Sequence, residues 1–316
     1  MEPITVPVLL IGFNRPHCIK KIMQQLSKVK PQKLYVSIDG PRCSKPNEAE
    51  LVEEVKSIVK CVNWECETHY RFLESNCGAE INVSSAIKWV LEDSDCVIVN
   101  EDDIFAGYSF YWFVQQMLLK YKDEERIGLV SGLNLKKFQS KDRDYYFSRS
   151  GHIWGWGTWK RVWDKFDLNG VIEDDVISID NLANYTVTPR QAQRIHKIFK
   201  TKQTEGVGNV TWDYMFWYYR IKYNYLGIVP SHSLVTNIGV DGLHAKGLAL
   251  THFTKYDDSF HTEQNREIKW DKDYDAFGIT DSLHLRIYHR IADYFRLQFL
   301  RHFVYNQKFI DSFYKD

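Results

Sequence analysis

The sequence has no C-x-x-C pair, no excess of either charge, no internal repeat and no apolar run long enough to cross a bilayer. Each absence excludes something. The six cysteines all fall in the first third of the chain without that pairing. A disulfide framework belongs to much shorter secreted chains, so they read as free thiols in a reducing compartment. Lysine plus arginine equals aspartate plus glutamate at 41 each, which removes the electrostatic argument for a nucleic-acid partner. The apolar stretch from Val6 to Phe13 is broken by Pro7 and Gly12 and follows no basic segment, so it does not read as a signal peptide. A cytoplasmic location is the expectation.

What is present is a globular composition. Hydrophobic residues make up 44% and charged residues 26%. Aromatics reach 15%, which suits a packed core or flat ligand faces. Val8-Leu9-Leu10-Ile11 is a continuous apolar run ending at Gly12, the pattern of a buried strand. Pro16 suits the first turn of a helix over 17–28. Further strands are predicted at 34–38, 64–72 and 97–99, with helices over 48–60 and 79–92 between them. Such alternation implies a parallel sheet with crossover connections. Ligands of such sheets bind beyond the carboxyl ends of the strands.

The second half is less regular. Helices are expected over 110–121, 189–203 and 213–223, and a strand over 127–131. Residues 151–163 are dense in Gly and Trp, and 230–247 read as loop. Residues 284–308 carry Arg286, Arg290, Arg296, Arg301 and Lys308 against Asp293 alone, beside Ile287, Phe295 and Phe299. That helix fits an anionic membrane surface at the inner face, the catalytic core, or a homodimer partner.

The strongest chemical signal is Glu101-Asp102-Asp103, directly after the run Val97-Ile98-Val99. Adjacent carboxylates repel one another and stay ionised together only when compensated. Hard divalent ions use one or two such carboxylates plus substrate phosphates. The competing reading is an acidic helix N-terminus ahead of Ile104–Tyr121. Asp39 ends the second strand in Asp39-Gly40-Pro41, either as a base or ribose contact or as a turn residue. Asp213 sits among Trp212, Tyr214, Met215 and Phe216. It reads either as a general base raised by apolar neighbours or as a helix N-terminal charge. Trp154 and Trp156 offer flat faces for a sugar ring, although at least one tryptophan of that stretch is expected in the core. His244 is a candidate metal ligand or a solvated loop histidine.

Taken in order, several motifs resemble the GT-A glycosyltransferases. They are Phe13-Asn14-Arg15-Pro16, Ser37-Ile38-Asp39-Gly40, Asn76-Cys77-Gly78, Glu101-Asp102-Asp103, Trp154 to Trp159, Trp212-Asp213 and Asn237-Ile238-Gly239. The likeness is to the branch containing N-acetylglucosaminyltransferase I and bacterial hemolysin-activation-type sugar transferases, over roughly residues 6–247. It implies a Rossmann-like, mixed but mostly parallel sheet flanked by helices, with a helical C-terminal extension. The implied catalytic domain is 1–246, with a nucleotide-binding half to 105 and an acceptor half after it, followed by 247–316.

The resemblance also implies roles. Arg15, Asp39 and Asn76 would lie at the nucleotide, Glu101 and Asp102 at the donor sugar and ribose, and Asp103 at Mn²⁺ (or Mg²⁺) with the diphosphate. Asp213 would be the base of an inverting transfer, and Trp154, Trp156 and Trp212 would face the acceptor, a glycan that is free, lipid-linked or protein-linked. The family pattern often carries acids on both sides of the base. Here Asp213 stands alone between Trp212 and Tyr214. Two other readings use the same residues: a metal-dependent nucleotidyltransferase or phosphohydrolase, and a non-catalytic carbohydrate-binding protein. A pyrophosphorylase would show a glycine-rich loop after the first strand, where this chain has Gly12-Phe13-Asn14-Arg15-Pro16.

Overall fold

The computed structural model describes residues 2–135, 142–238 and 256–277. His244 and the 284–308 segment lie outside them. The chain forms two compact units, Met1–Lys272 and Asp273–Asp316. The seam expected near residue 246 also lies outside the described residues.

The apolar runs form the strands β1 (Val8–Gly12), β2 (Lys33–Ile38), β3 (Glu67–Phe72) and β4 (Cys96–Glu101). The helices α1 (Pro16–Val29), α2 (Glu48–Val59) and α3 (Ala79–Glu92) connect them. α1 begins with Pro16 and buries Cys18, Ile19, Ile22, Met23, Leu26 and Val29, which fall on one face at helical spacing. β1 pairs in parallel with β2 on one side and β4 on the other. The chain thus steps outward from β1 to β3, then returns across β1 to β4. Right-handed crossovers require the returning helix to lie on the opposite face from the outgoing ones. Accordingly α1 packs on α2 and α4 (Tyr108–Lys120), while α3 packs on α5 (Lys160–Trp163) and α8 (Trp212–Lys222). Strand order reverses between β1 and β4, which opens a crevice at their carboxyl ends.

The rest of the sheet is mixed. Its order is β3-β2-β1-β4-β8-β6-β9-β7, adding β6 (Ile127–Ser131), β7 (Tyr145–Ser148), β8 (Trp156–Trp159) and β9 (Leu226–Pro230). β8 runs antiparallel to both β4 and β6, β6 and β9 are parallel, and β7 is antiparallel to β9. A mixed, mostly parallel α/β sheet flanked by helices is thus present. Helices α6 (Ile179–Tyr185), α7 (Pro189–Glu205) and α8 share a second cluster around Phe199, Met215 and Tyr218.

Two expectations change in the second half. Residues 104–106 are not helix. They form β5 (Ile104–Ala106), paired antiparallel with β10 (Val235–Asn237) inside the segment read as loop. The acidic triplet therefore does not sit at a helix N-terminus. α4 begins only at Tyr108, and its first turn is satisfied by Asp258: Ser109 N–H donates to Asp258 Oδ1 at 3.0 Å and Ser109 Oγ donates to the Asp258 carbonyl at 2.6 Å. Residues 256–271 run back over this region. Tyr256 packs edge-on to Phe105, and Asp271 accepts from Phe147 N–H at 2.8 Å.

Candidate functional site

Register brings the chemistry together at the sheet's carboxyl edge. Ile11 of β1 lies opposite Glu101 of β4, so the residues just past each strand are neighbours. Arg15 follows β1 by three residues, and its guanidinium grips both acids past β4. Nη2 donates to Asp102 Oδ1, and Nη1 donates to Asp103 Oδ2 at 3.2 Å. The second Asp102 oxygen accepts the Phe13 N–H at 3.3 Å. Burial works against the charge on Arg15, yet Asp102 and Asp103 hold it more firmly protonated than a free arginine. Burial pushes Asp102 up, against the pull of Arg15. Glu101 is pushed up to about 8, first by burial and then by the negative charges of Asp103 and Asp102, with a smaller contribution from Asp213. Crowding and burial at this edge thus favour the neutral form of Glu101, while Arg15 pairs with Asp102 and Asp103.

The neighbouring loops are organised by Asp39 and Glu48. Asp39 is 4% exposed, and each of its oxygens accepts two bonds. Oδ1 takes Gly40 N–H at 2.9 Å and Cys77 N–H at 3.0 Å; Oδ2 takes Asn76 Nδ2 at 2.9 Å and Gly78 N–H at 3.1 Å. The carboxylate staples the loop after β2 to the loop after β3. All four of these donors come from the protein's own loops, so this side chain holds the two loops together. Gly40 permits the junction, because a Cβ there would fall 2.5 Å from the Ser75 backbone. Asn76 belongs to the same staple and also donates to the Gly40 carbonyl at 3.1 Å. Glu48 performs the matching task for the 12–15 loop, accepting from Asn14 Nδ2 at 2.9 Å and Arg42 N–H at 2.7 Å. Arg42 in turn lies 5.4 Å over the Phe13 ring.

The second half contributes α8. Asp213 lies in its first turn and is exposed, with Thr211 Oγ1 donating to its carboxylate. The expected enclosure by large neighbours does not form, because Trp212, Met215 and Phe216 turn into the core. Asp213 nevertheless stands close enough to add to the charge felt by Glu101. Trp156 is fully buried and Trp212 is 6% exposed, so neither presents a face to a sugar. They stack on each other with centroids 6.0 Å apart at 18°, and Trp156 meets Phe216 at 5.2 Å. This stack seats α8 against β8. Trp154 is half-buried in the turn before β8, where Gly155 adopts φ +60°. Of the three tryptophans, it alone retains exposed surface for a ligand.

Among the described residues, no three His, Cys, Asp or Glu side chains close around one point that could hold a metal. The donor set fits a divalent ion that completes its shell with phosphate oxygens. No described residue donates to Asp103 Oδ1 or to the Glu101 carboxylate, whereas both Asp102 oxygens are engaged. Ile238 N–H donates to the Asp103 carbonyl at 2.7 Å, which fixes the backbone that aims this carboxylate. Arg15 as a clamp on the acids, Glu48 and Asp258 were not anticipated. Apart from Arg42, which is 6 residues before Glu48, their partners lie 34 to 149 residues away, and no local pattern marks such pairings.

The fold and site define a Rossmann-like α/β protein whose polar cluster lies where strand order reverses. No protein-family model matches the chain, and no curated protein matches it. Among solved structures, it is similar to 4-diphosphocytidyl-2C-methyl-D-erythritol synthase from Anaerococcus prevotii. That likeness has 12% identity and a TM-score of 0.32, over 50% of this chain and 72% of that one, and adds nothing to the topology described above.

Proposed function

We propose that the chain is an inverting glycosyltransferase that takes its sugar from a nucleoside-diphosphate donor, a UDP-sugar first among them. One observation carries the reading. Arg15 meets Asp102 and Asp103 at the carboxyl edge of β1 and β4, next to Glu101, and the charge of Asp213 on α8 reaches Glu101. The ordered motifs that resemble GT-A enzymes supply the same residues.

In this reading the nucleotide rests on the loops stapled by Asp39, with Arg15 toward the diphosphate. Asp102 holds Arg15 and the Phe13 backbone in place. Asp103 and Glu101 would hold Mn²⁺ or Mg²⁺ together with the diphosphate. That ion would offset charge on the leaving phosphate, an effect of several kcal/mol. Asp213 removes the acceptor hydroxyl's proton as its oxygen bonds to the anomeric carbon. The bond from that carbon to the diphosphate breaks on the opposite face, and the nucleoside diphosphate leaves. Being exposed, Asp213 is reachable by an acceptor from solvent. Trp154 offers the acceptor an apolar edge.

The test has two parts. Calorimetric titration with UDP and Mn²⁺ should show joint binding that Asp103→Ala removes. Asp213→Asn should cut transfer by about 10²–10⁴-fold while donor binding stays nearly intact. Near-wild-type turnover in Asp213→Asn removes the base. Hydrolysis of a UDP-sugar without acceptor, dependent on Mn²⁺, would argue against a merely carbohydrate-binding protein.

A further inference from the structure

The acids that would take a cation already have one, the guanidinium of Arg15. It bridges Asp102 and Asp103 and occupies one of the two Asp103 oxygens. A divalent ion arriving alone faces two costs. It must sit beside a fixed positive charge, and of the triplet's oxygens only Asp103 Oδ1 and the Glu101 pair take no donor among the described residues, too few to replace its hydration shell. A diphosphate arriving alone faces the opposite problem, the carboxylates of Asp102 and Asp103 already holding the guanidinium between them. Arriving together they remove both costs. The phosphate oxygens would complete the ion's shell and give the planar guanidinium of Arg15 a bidentate partner in place of Asp103.

We propose that Arg15 couples the two ligands: it holds Asp103 in the empty protein and releases it to the cation only when a diphosphate takes the guanidinium. Asp102 is the pivot, since its second oxygen is fixed by the Phe13 backbone and can keep Arg15 tethered as Asp103 is freed. Arg15 is therefore a positioning residue, and the site stays closed to free divalent ions. This inference rests on the functional reading above.

The experiment measures binding, not turnover. Free Mn²⁺ is followed by electron paramagnetic resonance in titrations with Mn²⁺ alone, and UDP binding is titrated with and without Mn²⁺. In the wild type each ligand should tighten the other by about tenfold or more. In Arg15→Gln, Mn²⁺ alone should bind several-fold more tightly, UDP alone more weakly, and the mutual effect should shrink toward unity. Arg15→Lys keeps the charge but cannot span both acids, so it should retain folding and show an intermediate coupling. Coupling unchanged in both variants, or weaker binding of Mn²⁺ alone in Arg15→Gln, overturns the proposal and leaves the functional reading standing. A wild type that binds neither UDP nor Mn²⁺ with UDP overturns both.

Discussion

Up to Glu101 each of the first three strands is followed by one helix, and Arg15, Asp39, Asn76, Asp102 and Asp103 hang on backbone one to four residues past a strand. Beyond Ala106 the strands enter the sheet out of sequence order and in both directions, and Asp213 reaches the same edge on a helix seated by tryptophans. The first half positions its side chains by hydrogen bonds to backbone N–H groups; the second does so by buried aromatic area. A hydrogen-bonded loop fails locally when one acceptor is lost. An aromatic seat fails as a unit, because each ring's packing depends on its neighbours.

Five substitutions test that contrast. The largest effect is expected for Trp156→Ala, which empties the seat shared by Trp163, Trp212 and Phe216. A loss of about 3–5 kcal/mol in urea unfolding is the expectation for a buried Trp→Ala change. A loss below 1 kcal/mol would show that α8 is held by other contacts. Next comes Asp39→Asn, which turns an amide –NH₂ toward N–H donors and leaves at least one of them unmet. It should lose about 1–3 kcal/mol. Hydrogen exchange should open the 39–41 and 75–78 loops and leave 212–222 protected. Exchange that rises equally in both places would erase the distinction between local and collective failure.

Asp258→Ala removes the acceptor at the start of α4 and should lose about 1 kcal/mol, with no change in UDP affinity. A drop in UDP affinity would tie the 256–271 segment to the site. The smallest change is expected for Glu101→Gln near pH 5, and its sign is the test. The folded protein raises this carboxyl to about 8, above its unfolded value near 4.3. Its contribution to stability is complete below the unfolded value and is lost as pH rises through the folded one. Glu101→Gln should therefore gain on the wild type from pH 5 to about 8 and then level off. Asp213→Asn should flatten that pH dependence, because part of the charge on Glu101 comes from α8. No flattening would separate the two halves at the site.

Legibility follows the same division. β1, β2, β4 and helices α1 to α3 could be read from periodicity, because one apolar run or one helical stripe packs on one sheet face. The acidic triplet stood out for the same reason: it follows a buried strand without interruption. The tryptophans misled because a sequence shows composition but not facing. Val99 of β4 lies opposite Trp156, which puts that ring under α8 and out of reach of solvent. β5 and β10 were missed because strands of three residues are too short to show a period. Trp212 and Met215, one and two residues from Asp213, point elsewhere because helical residues at those spacings do not share a face.

Local order was thus settled by the sequence alone. A buried apolar run must pair as a strand, and an amphipathic stripe must cover it, whatever lies further along the chain. Tertiary structure decided which ends meet. Only the reversal of strand order between β1 and β4 sets Arg15 against Asp102 and Asp103, and only the aromatic stack under α8 carries Asp213 toward Glu101. Arg15 and its two acids lie 87 and 88 residues apart, and such a pairing leaves no local trace because nothing short of the closed sheet brings it within reach.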